Sequence, residues 1–184
     1  MDEAGRRRRF EQAVPPMIDP LRRFLARRTD PATADDVLAD TLLVCWRRLE
    51  QLPEDPLPWA YGVARHCLAN AERTSRRQRR VAAKVAVLDP PASSSPGPGD
   101  TDDDPVGRAL AALRTDDAEL LRLWAWEQLG ASEIAQVLGI STNAASIRLH
   151  RARQRLREEL EELEEAGKTD GRAGHEESRE GRKR

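Results

Sequence analysis

From residue 89 to residue 103 the chain reads Asp-Pro-Pro-Ala-Ser-Ser-Ser-Pro-Gly-Pro-Gly-Asp-Thr-Asp-Asp, without one large apolar side chain. Such a stretch cannot bury enough surface to offset the entropy of ordering it. It predicts a flexible acidic linker over 81–104 that divides the chain into two small helical domains, 10–80 and 105–165. Disordered segments are expected at both ends, an arm at 1–9 and a charged tail at 166–184. Charged residues make up 34% of the chain and aromatic residues only 4%, which favours small all-α cores over a β-sandwich.

No apolar run approaches the roughly 20 residues that span a bilayer. The arginines at 6–9 lack the apolar segment that would make them part of a signal peptide. A cytoplasmic protein with no membrane contact of its own is the expectation. Cys45 and Cys67 each fall within a helical pattern, with no CxxC motif or His/Cys cluster, and read as reduced core residues. No metal and no cofactor are expected.

In the first domain Phe10 and Val14 open a helical pattern that Pro15 and Pro16 interrupt. Asp19-Pro20 has the form of a restart, a capping carboxylate followed by a proline at the first helical position, with Leu21, Phe24 and Leu25 as the inner face. A second helix follows Asp30-Pro31 and covers about 34–49, where Val37, Leu38, Thr41, Cys45 and Leu49 repeat with helical period. Asp35 and Asp36 fall in its first turn and complement the helix dipole. After a proline-rich loop, 51–58, a third helix begins near Trp59. Trp59, Val63 and Cys67 share one face; His66, Asn70, Arg73 and Arg77, spaced four, three and four, share a polar one. Arginines crowd its end, over 73–80.

The second domain opens at Asp104-Pro105, with Val106, Ala109, Leu110 and Leu113 facing inward. Asp116 and Glu119 are placed to form a capping box for the helix carrying Leu120, Leu121, Leu123 and Trp124. The stretch 133–157 then reads as a helix-turn-helix. Ile134, Ala135 and Leu138 line a short helix, Gly139 permits the left-handed turn that ends it, Ile140 plugs the corner, and Ser141 caps the next helix. There Ala145, Leu149, Ala152 and Leu156 form the buried stripe, while Asn143, Ser146, Ile147, His150, Arg151 and Gln154 face outward. Between 142 and 157 five arginines stand without a single acid, and the chain turns acidic at Glu158. A solvated helix mixes its charges for i,i+4 pairing; a segregated basic stripe is the footprint of phosphate, and such a helix fits the major groove.

These motifs resemble, in order, those of bacterial RNA polymerase sigma factors of the extracytoplasmic-function (ECF) group. Asp36-Val37-Leu38-Ala39-Asp40-Thr41-Leu42-Leu43-Val44-Cys45-Trp46-Arg47 resembles the D-L-V-Q-E-T-F-L-R-A-W-R signature, with Ala39 in place of Gln and Leu42 in place of Phe. Trp59-Ala60-Tyr61-Gly62-Val63-Ala64-Arg65-His66 is similar to W-L-Y-R-I-A-R-N, and the helix-turn-helix matches E-I-A-x-x-L-G-I-S followed by R-L-H-R-A-R. The resemblance covers roughly residues 10–160.

It implies a non-enzymatic protein that binds the clamp and flap regions of core RNA polymerase, recognises promoter DNA and is held inactive by an anti-sigma factor. Asp36, Asp40, Leu43 and Arg47 would meet the polymerase. Leu52 and Pro53 of the 51–58 loop, with His66, Asn70, Arg73, Arg76 and Arg77, would meet the −10 element. Thr142, Asn143, Ser146, Ile147, His150, Arg151 and Gln154 would read the −35 element. Ser146 stands where the family carries Arg or Lys, which removes a cation able to grip guanine, and Ile147 puts an apolar group where a thymine methyl is its natural partner.

A polymerase-independent helix-turn-helix regulator is the alternative. It accounts for the second domain but leaves the Asp36–Arg47 helix and the 73–80 basic patch unexplained. An enzyme would need a nucleophile or metal carboxylates. Asp36 and Asp40 share a helix face, but no His or Glu joins them, and capping and partner contact explain these acids better.

Overall fold

Two Asp-Pro pairs start helices in the way their chemistry requires. The Asp30 carboxylate accepts the Thr33 N–H at 3.0 Å with Pro31 in the first turn, and the Asp104 carboxylate accepts the Val106 N–H at 3.2 Å with Pro105 behind it. The computed structural model describes residues 2–85 and 104–180, and among them the chain is helix and turn without a strand. The first group comprises α1 (Glu3–Ala13), α2 (Pro15–Ala26), α3 (Pro31–Arg47), a 3₁₀ turn at Leu49–Gln51 and α4 (Leu57–Val85). The second comprises α5 (Pro105–Ala112), α6 (Thr115–Ala125), α7 (Ala131–Leu138) and α8 (Thr142–Glu180). The expected linker falls largely outside the described residues; of its ends, 81–85 continue α4 and Asp104 caps α5.

Several expectations are corrected. Asp19-Pro20 does not start a helix: α2 begins at Pro15 and carries Pro20 inside it. Prolines 15 and 16 occupy the first turn, where no N–H is needed. An interior proline costs about 3 kcal/mol. Burying Met17, Leu21, Phe24 and Leu25 along the same helix stabilises by roughly 1.5–3 kcal/mol each, so burial wins. Asp116 and Glu119 form no capping box. The N-cap of α6 is Arg114, without a side-chain cap, and Glu119 turns instead to Arg28, 3.4 Å away. Asp35 and Asp36 lie beyond the first turn of α3, which Asp30 caps. Val106 is exposed. On α4 the fully buried face is Ala60, Tyr61, Ala64 and Leu68, with Trp59 and Cys67 packed at its margin.

The 1–9 arm is not irregular either. It forms most of α1, capped by Asp2, whose carboxylate accepts the Gly5 N–H at 2.9 Å. Arg6 sits 5.5 Å from the centre of the Trp46 ring, donates to the Trp46 carbonyl at 3.3 Å and pairs with Glu50 at 3.5 Å. Phe10 meets the same ring edge-on at 5.2 Å. At the other end the backbone of α8 stays helical through Glu180, across most of the expected tail. No proline follows position 105 to stop it.

The two groups share one apolar core. α4 packs against α3 on one side and α7 on the other. A Cβ at Gly62 would stand 3.3 Å from the Val137 carbonyl oxygen, so only glycine allows this approach without displacement. Arg27 also joins the two groups: it donates to both Glu127 carboxylate oxygens, at 3.1 and 3.2 Å, and lies 5.6 Å over the Trp126 ring.

Candidate nucleic-acid interface

The helix-turn-helix is built by three local devices. Glu133 accepts the Gly130 N–H at 2.6 Å and closes the start of α7. Gly139 ends α7 at φ +66° and ψ 36°, in the left-handed region that a Cβ disfavours. The Ile140 N–H then reaches the Ala135 carbonyl at 3.0 Å. The Ser141 hydroxyl accepts the Ala144 N–H at 3.2 Å, as an N-cap should. These constraints set the roll of α8. Ala145, Leu149 and Ala152 are buried, with Leu156 packed at the edge. Thr142, Asn143, Ser146, Ile147, His150, Arg151 and Gln154 are all exposed.

The arginines of α8 do not act as one stripe. Arg153 lies 4.5 Å over the ring of Trp124, and Arg155 is hydrogen-bonded to the Asp117 carboxylate. Both hold α8 to α6. Arg148, Arg151 and Arg155 border a cleft of about 560 Å³ with Arg114 at the start of α6. Arg151 is the arginine of the sequence-read face, and it is exposed.

On α4, His66, Asn70, Arg73, Arg76 and Arg77 are exposed. Arg76 shares an exposed i,i+4 pair with Glu72 at 3.3 Å, which contributes little, and Arg73 donates to the Ala69 carbonyl at 3.1 Å. In the loop Leu52 is buried at 7% exposure. Its side chain faces the core and only its carbonyl, accepting from Arg9 at 3.5 Å, looks outward. Of the expected loop pair Pro53 alone keeps a partly exposed side chain.

On α3, Asp36, Asp40, Leu43 and Arg47 are exposed at spacings of four, three and four. Leu43, 44% exposed, is an apolar group among charges. These four side chains border a groove of about 740 Å³ between α3 and α4, which Asn70 and Arg79 also line. Of the residues expected to meet the −10 element, Asn70 alone borders this groove. Beneath it Thr41 bonds its own helix, donating to the Val37 carbonyl at 2.7 Å. Cys45 and Cys67 are free thiols. Burial pushes the Cys45 thiol up to about 11 and raises that of Cys67 as well. Among the described residues no group of His, Cys, Asp and Glu could hold a metal ion, and no helix is long and apolar enough to cross a membrane.

Residues 103–156, from the start of α5 into α8, match the family described as Sigma-70, region 4. The chain is 32% identical over 147 residues to the ECF RNA polymerase sigma factor SigL of Mycobacterium tuberculosis, covering 77% of this chain and 82% of SigL. It belongs to the ECF group of RNA polymerase sigma factors. It is an alternative sigma factor and directs transcription initiation. It is also 32% identical over 150 residues to the probable RNA polymerase sigma factor RfaY of Xanthomonas campestris pv. campestris, covering 74% of this chain but only 36% of RfaY. The fold is that of the sigma factor RpoE of Bartonella quintana, solved with the anti-sigma factor NepR, at a TM-score of 0.56 and 23% identity over 83% of this chain and 96% of RpoE.

Two features of this sigma factor escape a reading of the sequence. The bracing of the loop by α1 depends on Trp46, about 40 residues from Arg6. The pairing of Arg27 and Arg28 with Glu127 spans about 100 residues. One local signal was present: Arg6 and Phe10 are four apart, so a helix would put both on one aromatic partner.

Proposed function

We propose that this sigma factor docks on core RNA polymerase through Asp36, Asp40, Leu43 and Arg47, engages the −10 element through α4 and the neighbouring loop, and reads the −35 element through α8. The carrying observation is the roll of α8. Its inner stripe is buried, and Asn143, Ser146, Ile147, His150 and Arg151 form one exposed face that contains no acid. Ile147, 44% exposed, supplies an apolar contact suited to a thymine methyl. On α4, His66 and Asn70 offer hydrogen-bonding edges while Arg73 and Arg77 hold phosphates. The work is regulatory rather than catalytic and takes place in the cytoplasm, where the polymerase is.

An anti-sigma factor is the partner that holds this protein inactive. The reading is supported by the likeness to RpoE, whose structure is a complex with the anti-sigma factor NepR. The groove between α3 and α4, with Leu43 at its edge, is where such a partner competes with the polymerase.

The test is in vitro transcription with purified core polymerase on a genomic fragment library, followed by mapping of start sites. Promoter-specific starts that depend on this protein are expected. Reversing Asp36 and Asp40 to Lys should weaken polymerase binding by tenfold or more, on the order of 1–2 kcal/mol, and leave −35 DNA binding unchanged. Unaltered polymerase affinity would remove α3 from the interface.

A further inference from the structure

Four arginines and two carboxylates line the cleft of about 560 Å³ between the start of α6 and α8, a surplus of two positive charges. The surplus is local. Arg155 is bonded to Asp117, whereas Arg114, Arg148 and Arg151 are exposed and close no ion pair among the described residues. Thr115 lines the same cleft, exposed, and its hydroxyl makes no hydrogen bond among the described residues. The two residues before it, Leu113 and Arg114, are extended, with ψ of 159° and 142°. Extended backbone keeps its N–H and C=O groups free to pair with an enzyme. Acids follow the threonine at 116, 117 and 119.

We propose that Thr115 is a phosphorylation site, and that its phosphate, held by Arg148 and Arg151, switches off −35 binding by α8. This rests on the reading of α8 as the −35 reader. In the reaction the Thr115 Oγ1 attacks the γ-phosphorus of a nucleoside triphosphate. A bond forms between Oγ1 and that phosphorus, the bond to the nucleoside diphosphate breaks, and the hydroxyl proton passes to a base of the kinase. The product carries a charge of about −1.5 to −2 and three acceptor oxygens, which matches the surplus of the cleft. Guanidinium groups present their donors as a fork that suits such oxygens. Arg151 is then paired within the protein, and a new negative charge stands beside the helix that must approach DNA phosphates. The same phosphate also ties α6 to α8, adding to the Arg155–Asp117 and Arg153–Trp124 contacts.

The experiment uses the full chain unmodified, with phosphothreonine inserted at 115 during translation, and as Thr115→Val. An acid-directed Ser/Thr kinase with ATP should phosphorylate the unmodified chain at 115; uptake only at other positions would count against the site. Binding to a randomised −35 duplex library is measured beside thermal unfolding. The phosphorylated chain should bind about tenfold more weakly or worse, with the log–log salt slope flatter by about one unit. Its melting temperature should rise by about 2–4 °C. Thr115→Val should bind as the unmodified chain does. Adding Arg148→Ala and Arg151→Ala to the phosphorylated chain should abolish the rise in melting temperature, which a phosphate that merely repelled DNA would never produce. Equal affinity of the phosphorylated and unmodified chains would overturn the proposal, as would weaker binding without the rise. Arg151→Ala in the unmodified chain separates the two levels. If it binds as tightly as wild type, the −35 assignment of α8 fails; if it binds weakly while the phosphorylated chain binds normally, only the switch falls.

Discussion

Arg28, in the turn that follows α2, places Nη1 3.2 Å from the Glu127 carboxylate, and the two side chains are 9% and 3% exposed. Arg28 also donates to the Phe24 carbonyl at 2.9 Å and stacks 3.7 Å from the centre of the Phe24 ring. A buried pair of this kind repays its desolvation only while complete. Glu127→Ala should therefore cost about 3–5 kcal/mol, leaving two guanidinium groups facing an empty site. Replacing both members by apolar residues, Arg28→Met with Glu127→Leu, should recover most of that loss. Urea denaturation of the full chain measures both; equal losses in the single and double variants would mean the pair adds nothing as a pair.

The proposed −35 role of α8 separates charge from shape. Arg151→Ala should weaken binding to most −35 sequences and flatten the log–log salt dependence by about one unit. Arg153→Ala should leave that slope alone and lower stability by about 0.5–1 kcal/mol, because its partner is the half-exposed Trp124 ring. Ile147→Ser should relax preference at one A·T pair by roughly 1 kcal/mol, and Ser146→Arg should create a guanine preference. Binding to a randomised −35 library at two salt concentrations decides among these. No change at any base on Ile147→Ser would mean that the DNA-facing side of α8 is rotated from the one assigned.

Gly139 has open space around a Cβ, so its requirement is conformational and not steric. At φ +66°, Gly139→Ala should cost about 1–2 kcal/mol and Gly139→Asn less, since Asn tolerates the left-handed region. Thermal unfolding of the two variants checks the order. A loss as large for Asn as for Ala would point to a contact instead.

The Cys45 thiol titrates at about 11 in the folded protein against an ordinary 9.0, because burial disfavours the thiolate. The unfolded chain releases this proton first, so the stabilisation is complete below pH 9 and is lost as pH rises toward 11. Tyr61, raised to about 12 from 10.0 by burial and then by the nearby Glu127 charge, extends the same trend upward. Melting temperature should fall with pH across this range, and Cys45→Ala should remove the lower part of the fall. At pH 8 iodoacetamide should modify Cys67 well before Cys45; the reverse order would show that Cys45 is reached without unfolding.

Signals closed within a few residues were legible beforehand. Gly139, Ser141 and Asp104-Pro105 each specify a turn or cap through atoms at most four positions away, and the Ala145–Leu149–Ala152 stripe follows from the period of the helix. The same rules misled at Asp19-Pro20, where the buried face of α2 outweighs the proline, and at Glu119, whose carboxylate is drawn to a distant arginine. Residues 1–9 carry little local signal for an ordered helix because they are mostly charged; what orders them is one tryptophan in another helix. For the site, exposure along α3, α4 and α8 agreed with the spacing. Leu52 did not, since a loop has no period from which to infer which side chain turns inward.

The Arg28–Glu127 pair joins residues 99 apart, and on the ribosome they are also separated in time. At roughly 5–20 residues per second, about 5–20 s pass between their syntheses. During that interval α2 to α4 can assemble, because their own contacts are local to the first 85 residues, while Arg28 stays hydrated and the Gly62 side of α4 lies bare. Each newly made molecule therefore starts life with the surface that α7 later covers open to solvent.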